Sequence, residues 1–326
     1  MATGNTNFTT LITTTLQNHG KEIFDAVTTN VSLLWMLKKA GNIKISSGGR
    51  TFTHPIIYQK NASFQMYNKL DPISLNVTDA ITRANYDIKV AAGSIVLGTI
   101  DLAMNAGSRE KLLDYADVKK QEAEISMSEL LGGTAGVWGD LSPSTEFGGL
   151  PYLIQSETST RTDQPGGINS STSGNDYWRN QIYNTTIAAF NTSSAGLTQM
   201  NGILNRATKG LQGPKAVFTT TSIYGLYEIG LTGNIRYTST DLADAGFRHL
   251  MYTTMPVLFD DNATSAMMYF VDTDSLWLQV LAQANNRITQ FQLKDDQLAS
   301  SALMYLAGNL TAGSLRTQGV ISSITG

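Results

Sequence analysis

Residues 108–133, SREKLLDYADVKKQEAEISMSELLGG, contain no proline, and no glycine before Gly132. Ser108 is placed to cap a helix, because its hydroxyl can accept from a free backbone N–H of the first turn. Glu110 puts a negative charge in that turn, where the helix dipole favours it. Gly132 and Gly133 supply the stop. Leu112, Ala116, Ala123, Met127 and Leu130 recur at helical spacing and form one stripe, with Lys119, Gln121, Glu122 and Glu129 largely off it. At 1.5 Å per residue the helix is roughly 35 Å long. An apolar stripe of that length requires an equally long surface to lie on.

The flanking sequence says what that surface is made of. Phe52, His54, Ile56 and Tyr58 alternate with Thr51, Thr53, Pro55 and Ile57, the period of a strand, and Pro55 predicts a free edge there. Ala84, Tyr86, Ile88 and Val90 alternate with Arg83, Asn85, Asp87 and Lys89, which predicts a second, half-buried strand. Residues 60–72 between them carry turn chemistry, and no helical pattern intervenes. A two-stranded ribbon is at best marginally stable alone in water. Its apolar face is expected to lie on another copy of the chain, hinged at Gly48–Gly49 and at Gly93–Gly98.

Residues 1–30 are polar with scattered apolar groups and read as an arm. Residues 31–40 (VSLLWMLKKA) predict a short helix closed by Gly41, with Trp35 as a buried anchor. After the long helix comes a glycine-rich stretch closing on the apolar segment 150–154, then a Ser/Thr/Gly loop over 158–175. A helix is predicted over 197–209, with Leu197, Met200, Ile203 and Leu204 on one side and Gly210 at its end. Beyond Gly213–Pro214 the pattern is strand (215–219), helix (222–231) and strand (255–259). A turn follows at Asp260-Asp261-Asn262. The segments 267–271 and 276–281 then read as a hairpin around Asp272-Thr273-Asp274-Ser275, and the final VISSIT as a strand rejoining a sheet. The fold class is α+β.

The composition narrows the function. The chain has 326 residues and 41% hydrophobic content, enough for a substantial core, but only 15% charged residues against an average of about 25%. Its net charge of −3 gives no global attraction to nucleic acid. There is no cysteine, which excludes thiolate nucleophiles and Cys-ligated zinc. The N-terminus lacks the basic start and apolar core of a secretory signal, and the apolar runs 31–37 and 90–100 fall short of the ~18 residues a membrane helix needs. The frequent Asn-x-Ser/Thr triplets, as at Asn61 and Asn309, follow from Asn/Thr-rich composition.

Catalytic patterns are missing. His19, His54 and His249 are far apart and show no metal-ligand spacing. There is no nucleophile elbow and no phosphate-binding loop; the glycine cluster 132–136 lacks the lysine such a loop needs. The pairs Asp260–Asp261 and Asp295–Asp296 read as turn and helix-start residues. Asp272 and Asp274 are not completed by a calcium-binding pattern. No cofactor and no enzymatic activity are expected. Lys38, Lys39, Lys44 and Arg50 form the one locally basic segment.

The order of these parts resembles the major capsid proteins of tailed bacteriophages, with the Hong Kong 97 fold. The stretch FGGLPYLI looks like the segment after that family's spine helix, DYWRNQ (176–181) like its peripheral-domain continuation, and MPVLFDDN with MMYFVDTDSLWL like its axial-domain strand, turn and hairpin. ALMYLAGNLTAGSLRTQGVISSIT resembles the closing strands. The resemblance implies an N-terminal arm (1–45), an extended β-hairpin loop (46–100), a peripheral domain (101–205) with spine helix 108–132, an axial domain (206–290) and returning strands (291–326). It implies self-assembly into pentamers and hexamers around packaged double-stranded DNA. It also implies a separate scaffolding protein, a portal and a decoration protein as partners, no membrane, and a virion capsid assembled in the host bacterial cytoplasm. Phe52, Ile56, Tyr58, Lys60, Phe64, Tyr67 and Lys69 are the expected intersubunit contacts, and Lys38, Lys39, Lys44 and Arg50 the inner-face basic residues. Alternatives are an encapsulin-like cargo compartment and a glycan-binding adhesin or tail module.

Overall fold

A computed structural model describes residues 31–61, 63–73, 75, 79–100, 109–141, 144–157, 163–184, 190, 193–231, 250–293 and 298–325, with the backbone alone at 109–116 and 193–194. Helix α1 (Ser32–Lys39) buries Leu33, Leu34 and Leu37 on one side and carries Lys38 and Lys39 in its last turn, opposite the helix dipole. Gly41 ends it in the left-handed conformation, φ +72°. Trp35, expected as the buried anchor, is only half-buried and lies under the Lys39 ammonium, 5.1 Å from the ring centre. The three leucines anchor this helix instead.

Strands β1 (Ile43–Ser46), β2 (Thr51–Ile57), β3 (Ile81–Asp87) and β4 (Lys89–Gly98) follow, then helix α2 (Arg109–Gly132) and the single turn α3 (Leu150–Leu153). Next come β5 (Gln181–Tyr183), α4 (Ser193–Ala207), β6 (Ala216–Thr219) and α5 (Thr221–Gly230). The chain closes with β7 (Leu250–Tyr252), β8 (Met255–Phe259), β9 (Met268–Val271), β10 (Leu276–Leu281), β11 (Arg287–Ile288), β12 (Gln292–Leu293), β13 (Ala299–Ala312) and β14 (Gly319–Ile321).

The first sheet is built on β13. Along one side β4 runs antiparallel to it, from Ala299↔Gly98 to Gly308↔Lys89. Along the other lie β12, β11 and β10 in turn, and β1 adds in parallel beyond β10. Helix α2 packs on the β4 edge of this sheet, with Met127 and Leu131 in the same buried cluster as Ala91, Ile95, Leu97 and Met304. Leu131, 5% exposed, takes the place expected for Leu130, which is 40% exposed. A strict 3.5-residue spacing drifts around a straight helix, so the stripe shifts by one residue toward its end. Ser108, the expected cap, and the side chains of Leu112 and Ala116 lie outside the described residues.

The second sheet has the order β5-β14-β9-β6-β8-β7. Its strands are apolar on both sides because both faces are covered. Ala216, Phe218, Tyr269, Val271, Leu258 and Val320 face a core shared with Trp138, Leu150, Leu153 and Trp178. Val217, Phe270, Met268, Val257 and Ile321 face a second core formed with Met200 and Ile203 of α4 and Ile223, Tyr224 and Tyr227 of α5.

Several sequence expectations change here. The hairpin expected over 267–281 does not form: β9 pairs with β6 and β14 in the second sheet, while β10 pairs with β1 and β13 in the first. The turn between them is a crossover held by buried Asp272. Its carboxylate accepts from the Asp274 backbone N–H, the Ser275 hydroxyl and the Thr317 hydroxyl, at 2.7–3.2 Å. Gln318 bonds the Asp272 backbone at both N–H and C=O, 2.8 and 3.0 Å. The span 206–290, expected as one axial unit, is therefore divided between the sheets, and α4, expected before it, packs on the second sheet against β14 and β5. The single strand expected over 83–90 breaks at Ile88: β3 pairs with β2, β4 with β13. Gly93 and Gly98 lie within β4, paired with Met304 and Ala299, and do not form a hinge.

The glycines after α2 let backbones approach. A β-carbon on Gly136 would sit 2.1 Å from the Leu131 carbonyl oxygen, and one on Gly149 would sit 2.4 Å from the Gly139 nitrogen. The loop folds back on the helix end, with Val137 N–H on the Leu131 carbonyl and Leu150 N–H on that of Val137.

Candidate assembly surface

Among the described residues strands β2 and β3 form a two-stranded ribbon that joins no other sheet, which gives Pro55 the free edge it requires. Their alternation puts Phe52, His54 and Ile56 of β2 and Ala84 and Tyr86 of β3 on one buried face. That face is covered by the same chain. His54 Nε2 lies 3.0 Å from the Thr311 hydroxyl, and its ring stacks on Trp277 with centroids 4.8 Å apart. Tyr86 meets His54 edge-on and donates its hydroxyl to the Ala312 carbonyl at 2.9 Å. The Ala84 methyl leaves no room for a side chain at Gly166.

Phe52 and Ile56, expected to contact a neighbouring copy, are thus core residues of their own chain. The end of β13 and the turn at 165–167 provide the cover that the local sequence did not reveal. The same environment acts on His54. Burial, and then the positive charge of Lys44, hold its pKa down at about 4. The Lys44 ammonium itself sits over Trp277, 3.7 Å from the ring centre. Burial likewise pushes the Tyr86 phenol up.

Beyond the ribbon ladder the exposure pattern inverts. Phe64 is 87% exposed, Met66 102%, Leu70 95% and Leu75 90%, with Ile73 exposed as well. A folded surface rarely gathers so many large apolar groups in one loop without a partner. Phe64 is one of the expected contacts; Met66, Leu70, Ile73 and Leu75 are not legible from the sequence, because turn residues dominate the local composition and mask the alternation of 64 with 66 and 73 with 75. Lys60 and Lys69 are exposed on the same loop. Tyr58 meets Tyr177 at a tilt, centroids 5.5 Å apart, and donates to the Asp79 carbonyl, and Tyr67 donates to the Ser63 carbonyl, so both brace the loop within their own chain. Lys38, Lys39, Lys44 and Arg50 all reach solvent.

The candidate chemical groups have structural surroundings. Asp260 accepts from the Ser32 hydroxyl and the Asn262 N–H, tying α1 to the end of β8, and burial pushes its carboxyl up. Asp274 pairs with Lys215. His19, His249 and the Asp295–Asp296 pair lie outside the described residues. Among the described residues no group of three His, Cys, Asp or Glu side chains could hold a metal, and no helix is long and apolar enough to cross a membrane.

No protein-family model matches this sequence, and no curated protein matches it. Solved structures do match. The Cyanophage A-1(L) capsid protein superposes with a TM-score of 0.65 over 88% of this chain and 91% of its own, at 14% identity. This chain has the Hong Kong 97-type capsid fold. The same capsid fold appears in the capsid of an empty GTA particle, TM-score 0.54 at 12% identity, covering 88% of this chain and 89% of that one. It appears again in Mycobacterium phage Adephagia, TM-score 0.52 at 12% identity, covering 89% and 90%. In this capsid fold the β2–β3 ribbon is the extended loop and α2 the spine helix.

Proposed function

We propose that this chain is a major capsid protein of a tailed bacteriophage. It assembles into pentamers and hexamers that close an icosahedral shell around double-stranded DNA. The observation that carries this reading is the cluster of exposed apolar side chains at the tip of the ribbon, in a chain with a capsid fold. The base of the ribbon is fixed to its own subunit by Phe52, His54 and Tyr86, so the tip is held out where a neighbour can cover it. Fully burying one such side chain contributes about 1.5–3 kcal/mol. Several such side chains on every subunit add to the free energy that holds a shell closed, against the entropy lost on association.

Its work on this reading is to form contacts and not to catalyse, and it binds no cofactor. A separate scaffolding protein, a portal and a decoration protein are its partners; DNA is met through non-specific contacts that Lys38, Lys39, Lys44 and Arg50 supply. Assembly takes place in the host bacterial cytoplasm and the protein ends in the virion. The test is light scattering and negative-stain electron microscopy on protein expressed with and without neighbouring viral genes. Closed shells or rings of five and six are expected. A monomer in every condition rejects the proposal, and shells that exclude nucleic acid in favour of a protein cargo reject the DNA-container part.

A further inference from the structure

Charge is unevenly spread along this chain. Residues 121–175 hold seven carboxylates against one cation, Arg161, whereas 177–227 and 297–326 hold no carboxylate at all. Those two acid-free segments contribute Arg179, Arg206, Lys209, Lys215 and Arg316. The fold gathers all five at one end of the second sheet. There β5, β6, β8 and β14 start and β9 ends, with Ala216 opposite Val271, Gly319 opposite Phe270 and Gln181, and Val217 opposite Val257. Arg179, Lys215 and Arg316 stand within three residues of those strand starts. Helix α4 ends there too, since a β-carbon on Gly319 would meet the Ala207 β-carbon at 3.8 Å. Arg206 is in its last turn and Lys209 just beyond. Asp176 pairs with Arg179 at 2.7 Å and Asp274 with Lys215, so two of the charges are answered locally. Arg206, Lys209 and Arg316 form no ion pair among the described residues. Arg316 donates to the Arg206 carbonyl at 2.7 Å, and Arg206 to the Ile182 carbonyl at 3.3 Å. Guanidiniums held by neutral carbonyls keep their other N–H groups for an oxyanion.

The opposite end of the same sheet is acidic. The β8–β9 loop borders a hollow of about 310 Å³ there, lined by Asp140, Glu157 and Asp163 beside Thr264 and Met267, with no cation in its wall. Burial, and then the charges of Asp163 and Asp87, push the phenol of nearby Tyr152 up to about 12. Strands β6, β8 and β9 separate the two ends, so they do not meet within one subunit. Three such cations would also suit a nucleic-acid backbone, but this chain carries a complement of its own, three carboxylates in one hollow. Surfaces of opposite sign at opposite ends of one body pair head-to-tail, a contact that closes into rings when the rotation permits. Across such an interface charge fixes register and partner order more than affinity, and like charges brought together oppose it strongly.

We infer that the cationic end of the second sheet, at Arg206, Lys209 and Arg316, receives the acidic hollow of a second copy, at Asp140, Glu157 and Asp163. Successive subunits then join head-to-tail through their second sheets. This inference rests on the assembly reading above and adds a contact that does not involve the ribbon.

Arg206→Glu with Lys209→Glu reverses the cationic end, and Glu157→Lys with Asp163→Lys the acidic one. Under conditions that assemble the parent, either pair alone should cut the yield of closed particles by about tenfold or more. All four changes in one chain should restore it, since opposite signs face each other again. A milder variant, Arg206→Gln with Lys209→Gln and Arg316→Gln, serves where a reversed chain does not fold. It should assemble more slowly than the parent and with a shallower dependence on salt, followed by light scattering. Reversed chains that assemble as the parent does, a four-residue swap that folds but does not rescue, or an unchanged salt profile each overturn this contact alone. Particles that form normally from the Arg206→Glu, Lys209→Glu chain but lose their nucleic acid also overturn it, and assign the cationic end to nucleic acid. A parent that forms no particles under any condition overturns the assembly reading, and this inference with it.

Discussion

His54 shows how one side chain joins two parts of the fold. It is neutral where it stacks on Trp277 and bonds Thr311, and its pKa is held near 4 against an ordinary value of 6.5. An unfolded chain takes up a proton below pH 6.5 that the folded chain refuses until about pH 4. The stability tied to neutral His54 is therefore complete above pH 6.5 and is lost as pH falls from 6.5 to 4. His54→Gln should remove that part of the acid sensitivity, about 1–3 kcal/mol after allowance for solvent screening, read as the difference between the two denaturation profiles at pH 7 and pH 4.5. Gly149 works by absence. Its α-hydrogen lies where the backbones of Val137 and Gly139 close in, so Gly149→Ala should cost about 1–3 kcal/mol by urea denaturation.

The elements differ in which face they spend on the core. Helix α2 buries Met127 and leaves Leu130 half-open. Met127→Ala should therefore cost about 2–5 kcal/mol and Leu130→Ala about 0.5 kcal/mol or less in the monomer, measured by chemical denaturation. The ribbon is divided along its length: its base is core and its tip is surface. Phe64→Ser with Leu70→Ser should leave monomer stability within about 0.5 kcal/mol of the parent and suppress shell formation in light scattering. Assembly that survives the double change would show that these groups are not the contact.

For the molecule as a whole, the two sheets are tied together by the chain ends of β9, β10, β13 and β14. β14 sits inside the second sheet between β5 and β9, and the Asp272–Thr317–Gln318 network fixes the crossover. Removing residues 318–326 should unfold the second sheet together with the crossover, seen as lost near-ultraviolet circular dichroism and a non-cooperative melt. Loss of the second sheet alone, with an intact first-sheet melt, would show that the two fold as independent units.

The sequence by itself determined the elements whose signal is local. The long helix, the alternation of 51–57, the strand and turn at 255–262 and the start of the returning strand at Val320–Ile321 follow from periodicity and turn residues, and their order carried the resemblance to the capsid fold. The tertiary structure decided what each apolar face meets. Phe52 and Ile56 look the same in sequence whether a neighbour or β13 covers them, because burial depends on residues more than two hundred positions away. The 267–281 hairpin fails for a related reason: two adjacent strands pair with each other only if no better edge is nearby, and here each has partners in a different sheet. The exposed tip was hidden by its own turn-forming composition, since only the folded chain shows these side chains open to solvent.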